Sequence, residues 1–269
     1  MSRPEAGLGV IGGSGFYAFL DDIHQVVLHT PYGPPSAPVA LGQVEGTPVA
    51  FLPRHGVHHE LPPHRVNYRA NLWALRQLGV RRVVGACAAG SLRPDLHPGD
   101  MVICDQLVDR TWGRPDTFFD GGQVGHVAFA DPYCPELSQV LVRAAADTGV
   151  TVHPAGTVVV IQGPRFSTRA ESGWYRSAGW HLVNMTQYPE AALARELGIC
   201  YSGLAMVTDY DTGLEGVEGI EAVTMAAALE VLAANIGKAR RLLMAAVPAI
   251  PDTLACRCGE ALDSRLFGL

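Results

Sequence analysis

Apolar residues recur along this chain in two rhythms. Short runs rich in Val, Ile, Leu and Ala, bounded by Gly, Pro or charged positions, fall at 8–11, 39–41, 49–52, 80–85, 101–104, 156–161 and 199–207, and each reads as a strand. Between them the spacing lengthens to three and four residues. Residues 66–78 set Tyr68, Leu72 and Leu75 on one helical face before Gly79, and 189–197 opens on Pro189 and stops at Gly198. A last long helix is predicted over about 223–247, ahead of Pro248 and Pro251. Strands fed by helices predict an α/β fold with a mixed, largely parallel central sheet flanked by helices. Gly and Pro are spread as turn punctuation and no internal repeat is visible, so one domain over 1–269 is expected, with 1–6 and about 250–269 as peripheral tails.

Composition narrows the function classes. With 48% hydrophobic and 17% charged positions over 269 residues, the chain can bury a core and is not disordered. Twenty Lys plus Arg against 26 Asp plus Glu give a net charge of -6, which argues against a nucleic-acid partner while leaving room for a small anion pocket. No apolar run reaches the roughly 20 residues that cross a bilayer, and the start carries Arg3, Pro4 and Glu5 rather than a signal-like stretch. The chain as given is therefore expected to be a mature cytoplasmic protein with no membrane partner. Its six cysteines lie mostly in apolar surroundings, as reduced core thiols do. Cys256-Arg257-Cys258 is the exception; with no second such pair it reads as two incidental thiols in a surface tail and receives no role.

In open α/β sheets ligands gather beyond the ends of strands, so candidate chemistry is sought there. After the first strand, Gly12-Gly13-Ser14-Gly15 lets backbone approach an anion and offers the Ser14 hydroxyl, or makes a tight turn. The spacings of a dinucleotide fingerprint and of Walker A are both absent, and the first absence argues against a nicotinamide-dependent oxidoreductase. Arg54 and His55 follow the run 49–52, and a guanidinium fork with a neighbouring imidazole suits phosphate, although an exposed surface pair reads the same way. His58, His59, Glu60 and His64 lack H-E-x-x-H spacing, and Pro62-Pro63 bars a regular helix, so no metal site is assigned and solvated loop histidines are expected. Asn184-Met185-Thr186 precedes the helix starting at Pro189: Thr186 is placed for an anion or for a helix cap, and Met185 offers an apolar surface to a sugar. Asp209 and Asp211, at the end of the run 199–207, share one face of an extended chain, so one of the two is placed to hold a proton as a general acid; a solvated acidic turn is the alternative.

These exits, in this order, resemble the methylthioadenosine phosphorylase branch of the trimeric purine nucleoside phosphorylase family. The match runs from Gly9 to about Lys238, through Arg54-His55-Gly56, Asn67-Tyr68-Arg69-Ala70-Asn71, Pro98-Gly99-Asp100, Gly163-Pro164-Arg165-Phe166-Ser167, Asn184-Met185-Thr186 and Thr208-Asp209-Tyr210-Asp211. The resemblance implies a homotrimer without metal or organic cofactor that performs phosphorolysis of a purine nucleoside, with inorganic phosphate as co-substrate. It implies phosphate binding by Ser14, Arg54, His55 and Thr186, ribose packing on Met185, and base contacts from Phe166, Ser167, Asp209 and Asp211. Asp211 is taken as the proton donor to the purine N7 and Asp209 as acceptor from a 6-amino group, with the exchanged assignment open. Acidic residues at this place favour adenine over a 6-oxo base.

On the long helix, Met225 and Leu229 are candidates for an apolar pocket at the sugar's 5′ end, or ordinary core residues, and His126 matches a histidine that reaches a neighbouring subunit's site, or is a plain surface residue. Where the family usually carries Thr-Thr-Ala-Cys-Gly-Ser, this chain reads Ala86-Cys87-Ala88-Ala89-Gly90-Ser91, so a thiol at Cys87 replaces a phosphate-binding hydroxyl, and the amides of Cys87 and Ala88 remain as phosphate donors. The expected reaction converts 5′-methylthioadenosine and phosphate to adenine and 5-methylthioribose 1-phosphate, serving purine and methionine salvage. A broader purine nucleoside phosphorylase taking adenosine or inosine, and a nucleoside-binding protein without turnover, are the alternatives.

Overall fold

The computed structural model describes residues 6–13, 20–122, 124–214, 216–217, 220, 225–251, 253 and 255–260, and of Gly213 and Met225 only the backbone. Its described strands are β1 (Leu8–Gly12), β2 (Asp21–Val26), β3 (Val39–Val44), β4 (Thr47–Pro53), β5 (Arg82–Ser91), β6 (Met101–Cys104), β7 (Gln106–Arg110), β8 (Val152–His153), β9 (Thr157–Ile161), β10 (Leu182–Asn184) and β11 (Cys200–Tyr210). Helices α1 (Tyr68–Gln77), α2 (Pro135–Ala145), α3 (Arg169–Ser177), α4 (Gln187–Glu196) and α5 (Met225–Ala246) cover them. Every predicted strand and helix is present within a few residues, except that β5 runs six residues past its predicted end at Gly85. Among the described residues no helix is long and apolar enough to cross a membrane.

The sheet is mixed and mostly parallel, in the order β2-β3-β4-β1-β5-β10-β9-β7, with β11, β6 and β8 branching from β5. β5 and β11 lie side by side in parallel from Arg82 and Cys200 onward, and residues 83–84 and 204–207 are buried throughout because both faces are covered. On its other edge β5 changes partner. β1 pairs with it only through Gly85, and β10 joins only at Gly90 and Ser91. Neither strand reaches residues 86–89, so the sheet forks there and leaves a gap between the ends of β1 and β10.

Two cores lie on opposite faces. One packs Leu72 and Leu75 of α1 and Leu193 of α4 against Leu52, Val83 and Tyr201, and the other packs Leu137 and Leu141 of α2 and Leu242 and Leu243 of α5 against Val84 and Leu204. α1 starts where Asn67 accepts a hydrogen bond from the Ala70 amide, and α3 starts in a capping box between Thr168 and Glu171. α5 is tied down by Asn235, whose amide donates to Val207 O at 2.8 Å. The expected peripheral tail from about 250 is corrected in part: Ile250, Cys256 and Cys258 pack on the second core, and Cys258 is only 3% exposed.

Candidate active site

The fork opens on a cavity of about 650 Å³ lined by the exits of β1, β4, β5, β10 and β11. Arg54, His55, Cys87, Ala88, Phe166, Ser167, Met185, Thr186, Asp209 and Asp211 all line it. Ser14 lies outside the described residues, but Gly13 beside it is on the wall.

At one end Arg54 is 1% exposed and held by a buried carboxylate. Its Nε donates to Glu190 Oε2 at 2.7 Å and its Nη2 to Glu190 Oε1 at 2.8 Å, while Nη1 donates to Ala86 O at 2.8 Å and Nη2 to Ile11 O at 3.3 Å. Burial disfavours the charge, yet the ion pair with Glu190 more than offsets it, and the guanidinium stays ionised. Four of its five N–H donors are thereby engaged. The planar fork expected to clamp an anion clamps Glu190 instead, leaving the cavity charge and one N–H. Glu190, which sequence reasoning missed, also accepts from the Tyr201 hydroxyl at 2.7 Å. A side chain at Gly85 would fall on this Tyr201–Glu190 contact, which is why a glycine sits there.

His55 adds a lone pair rather than a donor. Its Nδ1 lies 2.8 Å from Leu61 O, and since a carbonyl only accepts, Nδ1 carries the ring hydrogen. Burial first, and then the Arg54 charge, lower its pKa to about 4, so at neutral pH Nε2 is an acceptor. His59 stacks on this ring with centroids 4.6 Å apart, and both His59 and Glu60 reach the cavity wall while staying exposed, as expected of solvated loop positions.

Thr186 occupies the N-cap position of α4 but its side chain makes no capping hydrogen bond, so the hydroxyl is not spent on the helix. Tyr188 is non-helical, with φ −115° and ψ 133°, and the regular turns begin at Pro189 as predicted. The Cys87 thiol, raised in pKa by burial, accepts from Asn184 Nδ2 at 3.2 Å and from Gln187 Nε2 at 3.3 Å. Asn184 Oδ1 is a buried acceptor that finds no donor among the described residues, although it belongs to a residue on the cavity wall.

At the other end stand the two acids. A bulge between Val207 and Asp209 inserts Thr208, whose hydroxyl lies 3.3 Å from Ala89 O and 2.6 Å from Asp209 Oδ1. Asp209 Oδ2 and Asp211 Cβ flank Gly90, at 3.2 and 3.4 Å from where a Cβ would stand, so the two carboxylates share one region because Gly90 has no side chain. Burial, with the Asp211 charge behind it, raises the Asp209 pKa against the Thr208 hydrogen bond. Asp211 is 6% exposed and accepts from Ser167 Oγ at 3.2 Å, which Ser172 supports from 2.9 Å.

The third wall is apolar, formed by Met206, Leu232 and Ile236. Leu229, one of the two α5 residues expected there, stands one turn too early. Leu229 is 57% exposed and off the wall, and the Met225 side chain lies outside the described residues. Leu232 and Ile236 follow Leu229 at helical spacing, and they flank Asn235, whose hydrogen bond to Val207 O ties this part of α5 to β11. Phe166 is 62% exposed at the rim, and His126 is exposed and does not line the cavity.

A sequence profile of the Phosphorylase superfamily matches residues 8–248. The S-methyl-5′-thioadenosine phosphorylase of Mycolicibacterium smegmatis is 58% identical over 93% of this chain and 93% of its own length. The purine nucleoside phosphorylase of Streptomyces coelicolor is 52% identical over 97% of this chain and 96% of its own. Among solved structures, a methylthioadenosine phosphorylase from an antarctic soil metagenomic library superposes with a TM-score of 0.89 at 44% identity, covering 97% of this chain and 94% of the other. That of Schistosoma mansoni in complex with adenine gives 0.88 at 37% identity, covering 95% and 96%.

Proposed function

The chain belongs to the phosphorylase superfamily, and on that premise we propose that it cleaves 5′-methylthioadenosine with inorganic phosphate, giving adenine and 5-methylthioribose 1-phosphate. The observation that carries this reading is the pairing, across one cavity, of a buried cation with free anion-binding groups and of two carboxylates of which one is biased toward its protonated form.

Breaking the glycosidic bond leaves electron deficiency on the sugar and negative charge on the departing base. In the proposed mechanism phosphate lies beneath the sugar between Arg54, Thr186, the amides of Cys87 and Ala88, and Ser14. It offsets the first charge and attacks the anomeric carbon. His55, an acceptor at Nε2, takes the one hydrogen that the phosphate dianion carries, which fixes the orientation of the nucleophile. Asp209 donates a proton to N7 and offsets the second charge, while Asp211, steadied by Ser167, accepts from the 6-amino group. This exchanges the roles first assigned to the two acids, and the raised pKa of Asp209 supports the exchange. Met185 packs on the ribose, and Phe166 borders the base. The apolar wall of Leu232 and Ile236 suits a thioether at the 5′ carbon. The reaction so drawn uses no metal or organic cofactor; phosphate is the second substrate.

A second reading, a broader purine nucleoside phosphorylase, has its support in the Streptomyces coelicolor relative. Catalytic efficiencies on the methylthio nucleoside, adenosine and inosine, with and without phosphate, decide between them. The methylthio compound leading in a strictly phosphate-dependent reaction is the expected result. Adenine release that ignores phosphate would mean hydrolysis, inosine leading would mean the broader enzyme, and binding without turnover would mean a nucleoside carrier. With the proposal go a homotrimer in which His126 completes a neighbour's site, a cytoplasmic location and a place in purine and methionine salvage. Light scattering coupled to size exclusion tests the first of these.

A further inference from the structure

Cys134, Cys200, Cys256 and Cys258 come from three stretches far apart in sequence, yet their four Sγ atoms all lie within 4.8 Å of one another. Cys134 caps α2, Cys200 opens β11, and the other two sit in the segment that follows α5. Three of the four are buried and Cys256 is partly so. From this cluster we infer that the protein holds a structural zinc ion in a tetrathiolate site, which clamps the C-terminal segment to α2 and β11.

The spacing of the sulfurs admits the ion's preferred shell, with those of Cys200 and Cys256 3.3 Å apart. Zinc bound to four thiolates at about 2.3 Å sets its sulfurs roughly 3.8 Å apart, inside the bound the cluster obeys. A disulfide accounts for one pair of sulfurs, whereas here each sulfur meets the other three, as ligands of a common centre do. Cys134 stands at the positive end of an eleven-residue helix, and the Leu137 amide lies 3.5 Å from its sulfur, so a negatively charged metal cluster there meets a donor and the helix dipole. The all-sulfur donor set selects a thiophilic ion over magnesium or calcium, and four protein ligands close the shell against a substrate. Binding is not a redox step. Each Zn–S bond that forms displaces one thiol proton to solvent, four in all, and the resulting dianionic cluster faces the α2 terminus.

The segment itself explains what an ion would add. Apart from the cysteines, residues 255–260 are held to the body, among the described residues, by the Ala255 amide on Glu136 at 2.8 Å and by the backbone of Gly259 lying over Gly198. The Arg257–Glu260 pair is internal to the segment and exposed. Cys200 and Asp209 stand at opposite ends of β11, roughly 30 Å apart at about 3.3 Å per residue, so the cluster is separate from the cavity.

The test is the metal content of the full-length protein, purified without a metal-affinity tag or added chelator. Elemental analysis is expected to find roughly one zinc per chain, and titration with an organomercurial to release it. Cobalt exchanged into the site should show the sulfur-to-metal charge-transfer bands of tetrahedral thiolate coordination. Cys256→Ser, at the partly exposed ligand, should weaken zinc binding about a hundredfold or more in competition with a chromophoric chelator. Cys104→Ala, outside the cluster, should keep the zinc. Metal-free protein with all thiols reactive overturns the inference. So does an intact mass lower by two hydrogens per bridge, which would show that the four cysteines pair as disulfides.

Discussion

Replacing Asp209 with Asn tests the acid at the base end with almost no change of shape. The Thr208 hydroxyl sits 2.6 Å from Asp209 Oδ1, and it can donate to the oxygen of an amide as it does to a carboxyl. That contact fixes the amide's orientation, so its NH2 takes the place of Oδ2, the atom beside Gly90. The variant keeps a hydrogen-bond donor toward N7 but has no proton to give. General acids contribute roughly a hundredfold to ten-thousandfold, so kcat/KM for 5′-methylthioadenosine should fall by about that much, or about 3 to 5 kcal/mol of barrier. The pH profile should change with it. Because Asp209 must be protonated and its pKa is raised by burial, the wild-type rate falls as pH rises through that pKa, and the variant should lose this limb. The new NH2 faces N7, and Asp211 still presents an acceptor to the 6-position, so the preference for the methylthio compound over inosine should change little. Steady-state kinetics on both nucleosides across pH is the assay. An efficiency within about threefold of wild type, with the alkaline limb intact, would refute the assignment of Asp209.

Glu190→Gln leaves Arg54 buried without its countercharge; breaking such a pair costs about 3 to 5 kcal/mol, so the melting temperature should drop, and added phosphate should restore more of it than in wild type because the anion becomes the partner. His55, depressed from 6.5 to about 4, binds fewer protons folded than unfolded, so its share of stability, roughly 3 kcal/mol, is present above pH 6.5 and lost as pH falls toward 4. Chemical denaturation at successive pH values should therefore show a shallower acid-side loss in His55→Asn. Leu232→Asn places an amide on the apolar wall and should lower the preference for the methylthio compound over adenosine by roughly tenfold, read as a ratio of kcat/KM values.

The parts of the fold legible in the sequence are those whose burial leaves a periodic trace. β5 and β11 are covered on both faces and read as continuous apolar runs; α1 carries one apolar stripe between a capping Asn67 and Gly79. β2 is exposed along most of its length and spelled DDIHQV, so it has no trace to read, and the three-residue β10 and two-residue β8 are too short for one. α3 opens on a Thr168–Glu171 capping box yet was not predicted, because its buried face is only Ser172 and Tyr175 and leaves no apolar stripe. At the site, loops that follow strands were found by position and residue type. Glu190 was not, because an acidic residue in the first turn of a helix looks like ordinary pairing with the helix dipole, and its partner is 136 positions away. Cys256 and Cys258 were misjudged for the same reason: nothing local to a C-x-C pair tells that Cys134 and Cys200 stand against it.

The fork in the sheet explains why these distant residues must meet. A strand edge left unpaired over residues 86–89 carries buried polar backbone, which a protein satisfies or uses. Here Arg54 takes the Ala86 carbonyl, and Glu190 neutralises Arg54, so the proposed phosphate end of the cavity carries a cation and an anion together rather than a bare positive charge. A dianion arriving there gains from oriented donors, the Thr186 hydroxyl at the head of α4 and the neighbouring amides, more than from net attraction. That balance suits a nucleophile, which must be held in line yet keep its electron density for the anomeric carbon. An unpaired Arg54 would bind phosphate more tightly and stabilise the ground state along with the transition state, which lowers KM without raising kcat.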